Sequence, residues 1–233
     1  MFKVFILLIM TTFTFTNLAI ATIPPEVTAV SAIVLDQKTG RILYSKNINE
    51  KRPMASTTKI MTAIVALENG DMNDYIKVSK KASEIGGSSI WLEENEELTL
   101  EELLYGLMLK SGNDASYAIG EHIGEGRIDK FIDMMNKKAM ELDAFDTSFK
   151  NTHGLDSEDH YTTAYDLARI SAYGMNKDGF RTIVSTKEKN ISWSTSQWDR
   201  KLKNTNKMLW TYDGSNGIKT GFNEAFIISG EKR

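Results

Sequence analysis

Ser56 and Lys59 stand three residues apart in the run Pro53-Met54-Ala55-Ser56-Thr57-Thr58-Lys59-Ile60-Met61-Thr62, a hydroxyl and an amine where a helical pattern begins. At i and i+3 the two side chains share one face of the first turn. A serine there feels the positive end of the helix dipole, which favours a developing alkoxide or oxyanion. The pair suits nucleophilic attack by the hydroxyl with the amine as base. The same tetrapeptide also suits an N-cap serine followed by a lysine that snorkels to solvent. Two further short pieces bear on the choice, Ser111-Gly112-Asn113 and Lys219-Thr220-Gly221. Each is cheap alone. The three in this order, on a helix start, an interhelical loop and a strand edge, are specific.

The elements that must hold these pieces follow from the residue pattern. Residues 60–67 are apolar nearly all round, which predicts a buried helix, and Pro53 places its start shortly afterwards. Upstream, 31–35 and 41–45 predict a hairpin across the turn 36–40. Downstream, 75–78 is a short strand and 82–97 is irregular. Thr99 and Glu102 read as a capping box for a helix with Leu100, Leu103, Leu104, Leu107 and Met108 on its apolar stripe. Helices follow over 114–123, 128–142 and 163–175, with a loop at 147–161. Residues 180–198 alternate Thr, Val, Ile and Trp and predict one or two strands or an irregular hairpin. Strands are expected again at 218–222 and 226–229. The result is an α+β fold: an antiparallel sheet built from both chain ends, flanked by helices, with a mostly helical subdomain inserted.

The 233 residues suffice for one large domain or two intertwined subdomains. A net charge of −3 with no basic stripe excludes nucleic-acid binding. Without cysteine there is no thiol nucleophile and no thiolate ligand. His122, His153 and His160 show no metal-ligand spacing, so neither a metal nor a cofactor is expected. Lys3, the apolar run 4–10 and Ala19-Ile20-Ala21 have the order of a secretory signal peptide over 1–21, leaving 22–233 as the mature domain. Export to the periplasm or cell surface follows. An uncleaved anchor is the alternative, against which Asn17 and several threonines interrupt the apolar run. Membrane association and oligomeric state stay open.

Around the three motifs the text resembles the low-molecular-mass penicillin-binding proteins, the serine-type D-alanyl-D-alanine carboxypeptidases. The matching pieces are 54–62, 109–115, Asn151-Thr152-His153-Gly154-Leu155-Asp156, 163–168 and Asn204-Thr205-Asn206 running on to 217–222. The resemblance implies a β-lactamase/transpeptidase-like fold and removal of the terminal D-alanine from peptidoglycan stem peptides. Ser56 would form the acyl-enzyme, with Lys59 as a base kept neutral by burial and by the Lys219 charge. Ser111 would relay a proton to the leaving amine, and Asn113 would bind the substrate amide. Lys219 and Thr220 would hold the terminal carboxylate, while Gly221 lets substrate pair against the strand. The backbone N–H groups of Ser56 and Phe222 would form the oxyanion hole, and β-lactams would acylate Ser56.

Other readings compete. A class A-like β-lactamase shares the motifs but needs a glutamate, usually in Glu-x-x-x-Asn; none of Glu121, Glu125, Glu141, Glu158 and Glu188 has Asn four residues on. A non-catalytic binder of peptidoglycan or β-lactams is the second rival. It draws weight from the C-terminus, where Asn223-Glu224-Ala225-Phe226 replaces the family's Thr-x-x-Ala-Gly and the expected closing strands are missing. A C-terminally incomplete domain is therefore expected. Lys38-Thr39-Gly40 reads as turn chemistry, and His153 as a core or supporting histidine, since no G-x-S-x-G elbow exists. Ser111 and Asn113 also suit capping of the next helix. Trp91 and the loop 86–89 suit either the rim of the site or ordinary packing.

Overall fold

The computed structural model describes residues 24–221. A helix apolar on all sides is stable only inside, and α1 (Lys59–Asn69) is buried from Lys59 to Ala66. It continues a 3-10 turn, Ala55–Thr58, so Ser56 and Lys59 sit across the junction of two helical geometries. Ahead of it, β1 (Ala32–Leu35) and β2 (Ile42–Lys46) pair antiparallel with Val34 opposite Tyr44. After it, β3 (Tyr75–Lys77) leads through α2 (Lys80–Ser83) to β4 (Glu97–Thr99), which pairs back with Ile76 opposite Leu98.

The helical part runs through α3 (Leu100–Leu109), α4 (Asn113–Ile123), α5 (Ile128–Glu141), α6 (Ala164–Met175) and α7 (Asp178–Ser185). The antiparallel hairpin β5 (Glu188–Ile191) and β6 (Arg200–Lys203) and the short α8 (Met208–Thr211) complete the described chain. Helix α1 packs against α3, α4, α5, α6 and α7, which makes it the axis of the core. Ile60, Ile64, Leu103, Leu107, Ile119, Phe131 and Ile170 meet there with no solvent exposure. Each such side chain contributes roughly 1.5–3 kcal/mol by leaving water.

The helix starts follow the capping signals. Thr99 Oγ1 accepts from the Glu102 amide at 3.2 Å and Glu102 Oε2 from the Thr99 amide at 2.9 Å, so both halves of the capping box form. Thr163 caps α6 by accepting from the Asp166 amide at 3.0 Å.

The architecture is α+β, as expected, with local corrections. Residues 178–185 form a helix rather than the start of a strand. Phe180, Ile183 and Val184 fall at i, i+3 and i+4 on one buried face, and packing on α3 and α6 outweighs their β propensity. The stretch 82–97, expected to be irregular, overlaps the ends of α2 and β4. Residues 218–221 carry no strand assignment among the described residues. The leader expected over 1–21, Phe222 and the strand expected at 226–229 lie outside them.

Candidate active site

Lys59 has no exposed surface, and its Nζ lies 3.1 Å from Ser56 Oγ, 2.7 Å from Asn113 Oδ1 and 2.6 Å from the His153 carbonyl oxygen. Burial, reinforced by the Lys219 charge and opposed by Asp114, holds its pKa well below the ordinary lysine value. An uncharged amine has two N–H groups. With both given to the Asn113 and His153 carbonyl oxygens, its lone pair is left for the third neighbour, the Ser56 hydroxyl. That geometry suits a base beside a nucleophile.

Ser56 is reached through strained backbone, for Ala55 has φ +43°. A left-handed alanine is sparsely populated and persists only where its surroundings over-determine it. Here the Ala55 carbonyl accepts from Thr58 Oγ1 at 2.8 Å, and Thr57 Oγ1 donates to the Met54 carbonyl. Residue 154 closes over the same carbonyl: a Cβ there would stand 1.8 Å from Ala55 O, and its φ is +91°, so only glycine fits.

The Ser-Gly-Asn motif occupies the turn between α3 and α4. Ser111 is buried with φ +65°, and Gly112 is the N-cap residue of α4. The capping alternative thus falls to a residue with no side chain, which leaves the Ser111 and Asn113 side chains for other work. Asn113 Oδ1 accepts from Lys59, while its Nδ2 donates to the Gly86 carbonyl at 2.7 Å and its backbone amide to the Ser88 carbonyl at 2.7 Å. The loop 86–92 therefore rims the site. Fully buried Asp114 anchors it, accepting from Ser89 Oγ, the Ile90 amide and the Leu92 amide. Trp91 stands out from this rim with 68% of its surface exposed.

Lys219 is buried and donates to the Thr220 carbonyl at 2.7 Å; burial lowers its pKa to about 7. Thr220 Oγ1 lies 3.2 Å from Thr205 Oγ1. Gly221 packs on the backbone of Ser56 and Thr57: a Cβ there would lie 3.3 Å from Ser56 N and 3.2 Å from Thr57 N. The structure thus gathers Ser56, Lys59 and Asn113 by direct contact and brings Gly221 against Ser56.

Several neighbours are not visible in the motifs. The His153 carbonyl, rather than its ring, meets Lys59, while His153 Nδ1 accepts from the Leu155 amide at 3.2 Å. Burial lowers the His153 pKa to about 4. Lys38-Thr39-Gly40 is turn chemistry, with Asp36 Oδ1 accepting from the Thr39 amide at 2.8 Å.

This is the architecture of the β-lactamase/transpeptidase class. The crystal structure of the Streptomyces K15 DD-transpeptidase matches with a TM-score of 0.84 and 32% identity, covering 91% of this chain and 88% of that one. A penicillin-binding protein homolog from Mycobacterium tuberculosis matches at 0.83 and 29% identity, covering 88% of this chain and 78% of that one.

The D-alanyl-D-alanine carboxypeptidase family, peptidase family S11, matches residues 18–226, and the chain belongs to it. The D-alanyl-D-alanine carboxypeptidase DacF of Bacillus subtilis is 41% identical over 201 residues, which is 83% of this chain and 51% of that protein. The D-alanyl-D-alanine carboxypeptidase of Streptomyces sp. strain K15 is 34% identical over 224 residues, 87% of this chain and 75% of that one. DacD of Escherichia coli is 34% identical over 220 residues, 88% of this chain and 54% of that one. The chain spans about half the length of DacF and DacD.

Proposed function

We propose that the chain is a serine-type D-Ala-D-Ala carboxypeptidase acting on peptidoglycan stem peptides. The observation that carries this reading is the fully buried Lys59 amine, held by two carbonyl oxygens and placed 3.1 Å from Ser56 Oγ. Family membership supplies the bond that is cut.

Ser56 Oγ attacks the carbonyl carbon of the penultimate D-alanine while its proton passes to Lys59 Nζ. The tetrahedral oxyanion sits on the backbone N–H of Ser56 and that of Phe222; losing one such donor typically costs ~10²–10³ in rate. As the C–N bond breaks, Ser111 relays the proton from Lys59 to the departing D-alanine nitrogen. Water then adds to the ester with Lys59 again as base, releasing the shortened peptide and restoring the Ser56 hydroxyl. Asn113 binds the substrate amide through its Nδ2 group. Lys219 and Thr220 hold the terminal carboxylate, whose charge favours the protonated lysine. β-Lactams enter as slow substrates of the same serine. Residues 1–21 direct export, and 22–233 form the peptidase domain outside the cytoplasm. Among the described residues no helix is long and apolar enough to cross a membrane.

A fluorescent penicillin added to the purified protein is expected to label it covalently, and Ser56→Ala to abolish the label. Release of D-alanine from a stem-peptide mimic separates a peptidase from a binder, and rapid nitrocefin turnover would indicate a β-lactamase. A folded protein that takes no label would overturn the proposal.

A further inference from the structure

The Lys150 amide donates to His160 Nδ1 at 2.9 Å, so that nitrogen is the acceptor and the neutral ring carries its proton on Nε2. His160 Nε2 lies 2.8 Å from Thr58 Oγ1 and can only donate to it. Thr58 Oγ1, thus an acceptor on one side, spends its own proton on the Ala55 carbonyl at 2.8 Å. The two contacts of Thr58 are buried and the Lys150 contact is partly buried: Thr58 has no exposed surface and His160 has 5%. The chain of bonds has one direction, from Lys150 N–H through the ring and the hydroxyl to Ala55 C=O.

The end of that chain is the peptide group before the nucleophile. A peptide unit is planar and trans, so the direction of the Ala55 carbonyl fixes the direction of the Ser56 N–H on its other side. Ala55 is held at φ +43°, a conformation that needs such support. Gly221 packs against the Ser56 amide and that of Thr57 beside it.

We infer that His160 and Thr58 are positioning residues: they clamp the Ala55–Ser56 peptide so that the Ser56 N–H points into the oxyanion site. This rests on the acyl-transfer reading above for its consequence, though not for its geometry. Neither residue touches substrate in this scheme. Burial, helped by the Lys150 charge and opposed by Asp156, lowers the His160 pKa to about 4, so the ring stays neutral and the bond direction holds at working pH.

Labelling alanine with 13C at the carbonyl and serine with 15N confines the NMR signals to Ala55–Ser56, Ala82–Ser83 and Ala115–Ser116. In Thr58→Val the Ala55 carbonyl carbon should move upfield as it loses its hydrogen bond, while Thr58→Ser leaves it in place. His160→Phe keeps a ring packed edge-on against Phe149, 6.0 Å away, but removes both nitrogens, and should shift the same carbonyl. In both altered proteins the saturating rate of acylation by a fluorescent penicillin should fall roughly 10- to 100-fold, less than for outright loss of a donor. The half-saturating concentration should stay within about twofold, since binding before attack is unchanged. Thr58→Ser should acylate near the parental rate.

An unmoved Ala55 carbon in His160→Phe and Thr58→Val would overturn the clamp, as would a moved carbon with parental acylation. Either variant alone suffices for that decision. If the parent protein is not acylated at all, the catalytic reading fails, and the carbon shift still decides whether the clamp exists.

Discussion

Lys59 Nζ and Asn113 Oδ1 lie 2.7 Å apart, so the second motif of the site orients the amine of the first. The Asn113 carbonyl oxygen accepts one hydrogen bond from the Lys59 amine. Asn113→Asp keeps the shape and adds a negative charge at that distance, which favours the ammonium form. The Lys59 pKa should rise, and the acid limb of the acylation rate should move to higher pH. At neutral pH the rate should fall about tenfold or more, while the basic limb is reached later. A pH profile of penicillin acylation reads both. An acid limb that does not move would mean that Lys59 is not the base.

Gly87 is the point where the rim loop meets this pair. Its φ is +91°, and a Cβ there would stand 2.5 Å from Asn113 Nδ2. Gly87→Ala should cost about 1–3 kcal/mol through backbone strain. It should also push the Asn113 amide from the Gly86 carbonyl, loosening the Lys59 contact on its far side. Stability and acylation should fall together, the rate by roughly tenfold, since misplaced positioning groups carry such penalties. Chemical denaturation and labelling kinetics on the same sample test this.

The hairpin β5–β6 is tied to the rim by an ion pair with almost no exposure, Arg200 at 4% and Glu96 at 0% of their side chains. Arg200 Nη2 donates to Glu96 Oε2 at 2.7 Å and to the Trp91 carbonyl at 2.8 Å. Removing one partner strands a buried charge, so Arg200→Met or Glu96→Leu alone should destabilise by roughly 3–5 kcal/mol. The double variant removes both charges and should recover much of that loss. Urea midpoints of the four proteins close the cycle. A double variant no better than the worse single would mean that the pair is held by packing rather than by charge.

Much of this frame was legible in the residue pattern, and the exceptions have physical reasons. The Thr99–Glu102 box announced its helix because capping is a local code. Ser56 and Lys59 could be paired because three residues of helix always bring side chains together. The segment 178–185 misled because Thr182, Ile183 and Val184 favour strands in isolation, while its burial on α3 and α6 is tertiary. His160 and Thr58 are 102 residues apart, and no periodicity links them. The part played by the His153 carbonyl was hidden for a different reason: every residue has a carbonyl, so sequence cannot single one out.

Glu68, at the far end of α1 from Ser56, ties that end down with pH-dependent charge. Its carboxylate accepts from the Tyr173 hydroxyl at 2.5 Å and pairs with Lys138 at 2.9 Å and Lys177 at 2.7 Å. Burial alone would raise its pKa, but bonds from Lys177, Tyr173 and Lys138 outweigh that and lower it from 4.5 to about 2. A carboxyl with a depressed folded pKa contributes stability that is full above its unfolded value and is lost as pH falls through the folded one. The window here runs from 4.5 down to about 2. Glu68→Gln should therefore destabilise the protein at neutral pH, and the gap between variant and parent should narrow steadily as pH falls through that window. Denaturant midpoints at stepped pH measure it directly. A gap that stays constant from neutral pH down to 2 would show that the glutamate acts by shape and neutral hydrogen bonds, with no contribution from its charge.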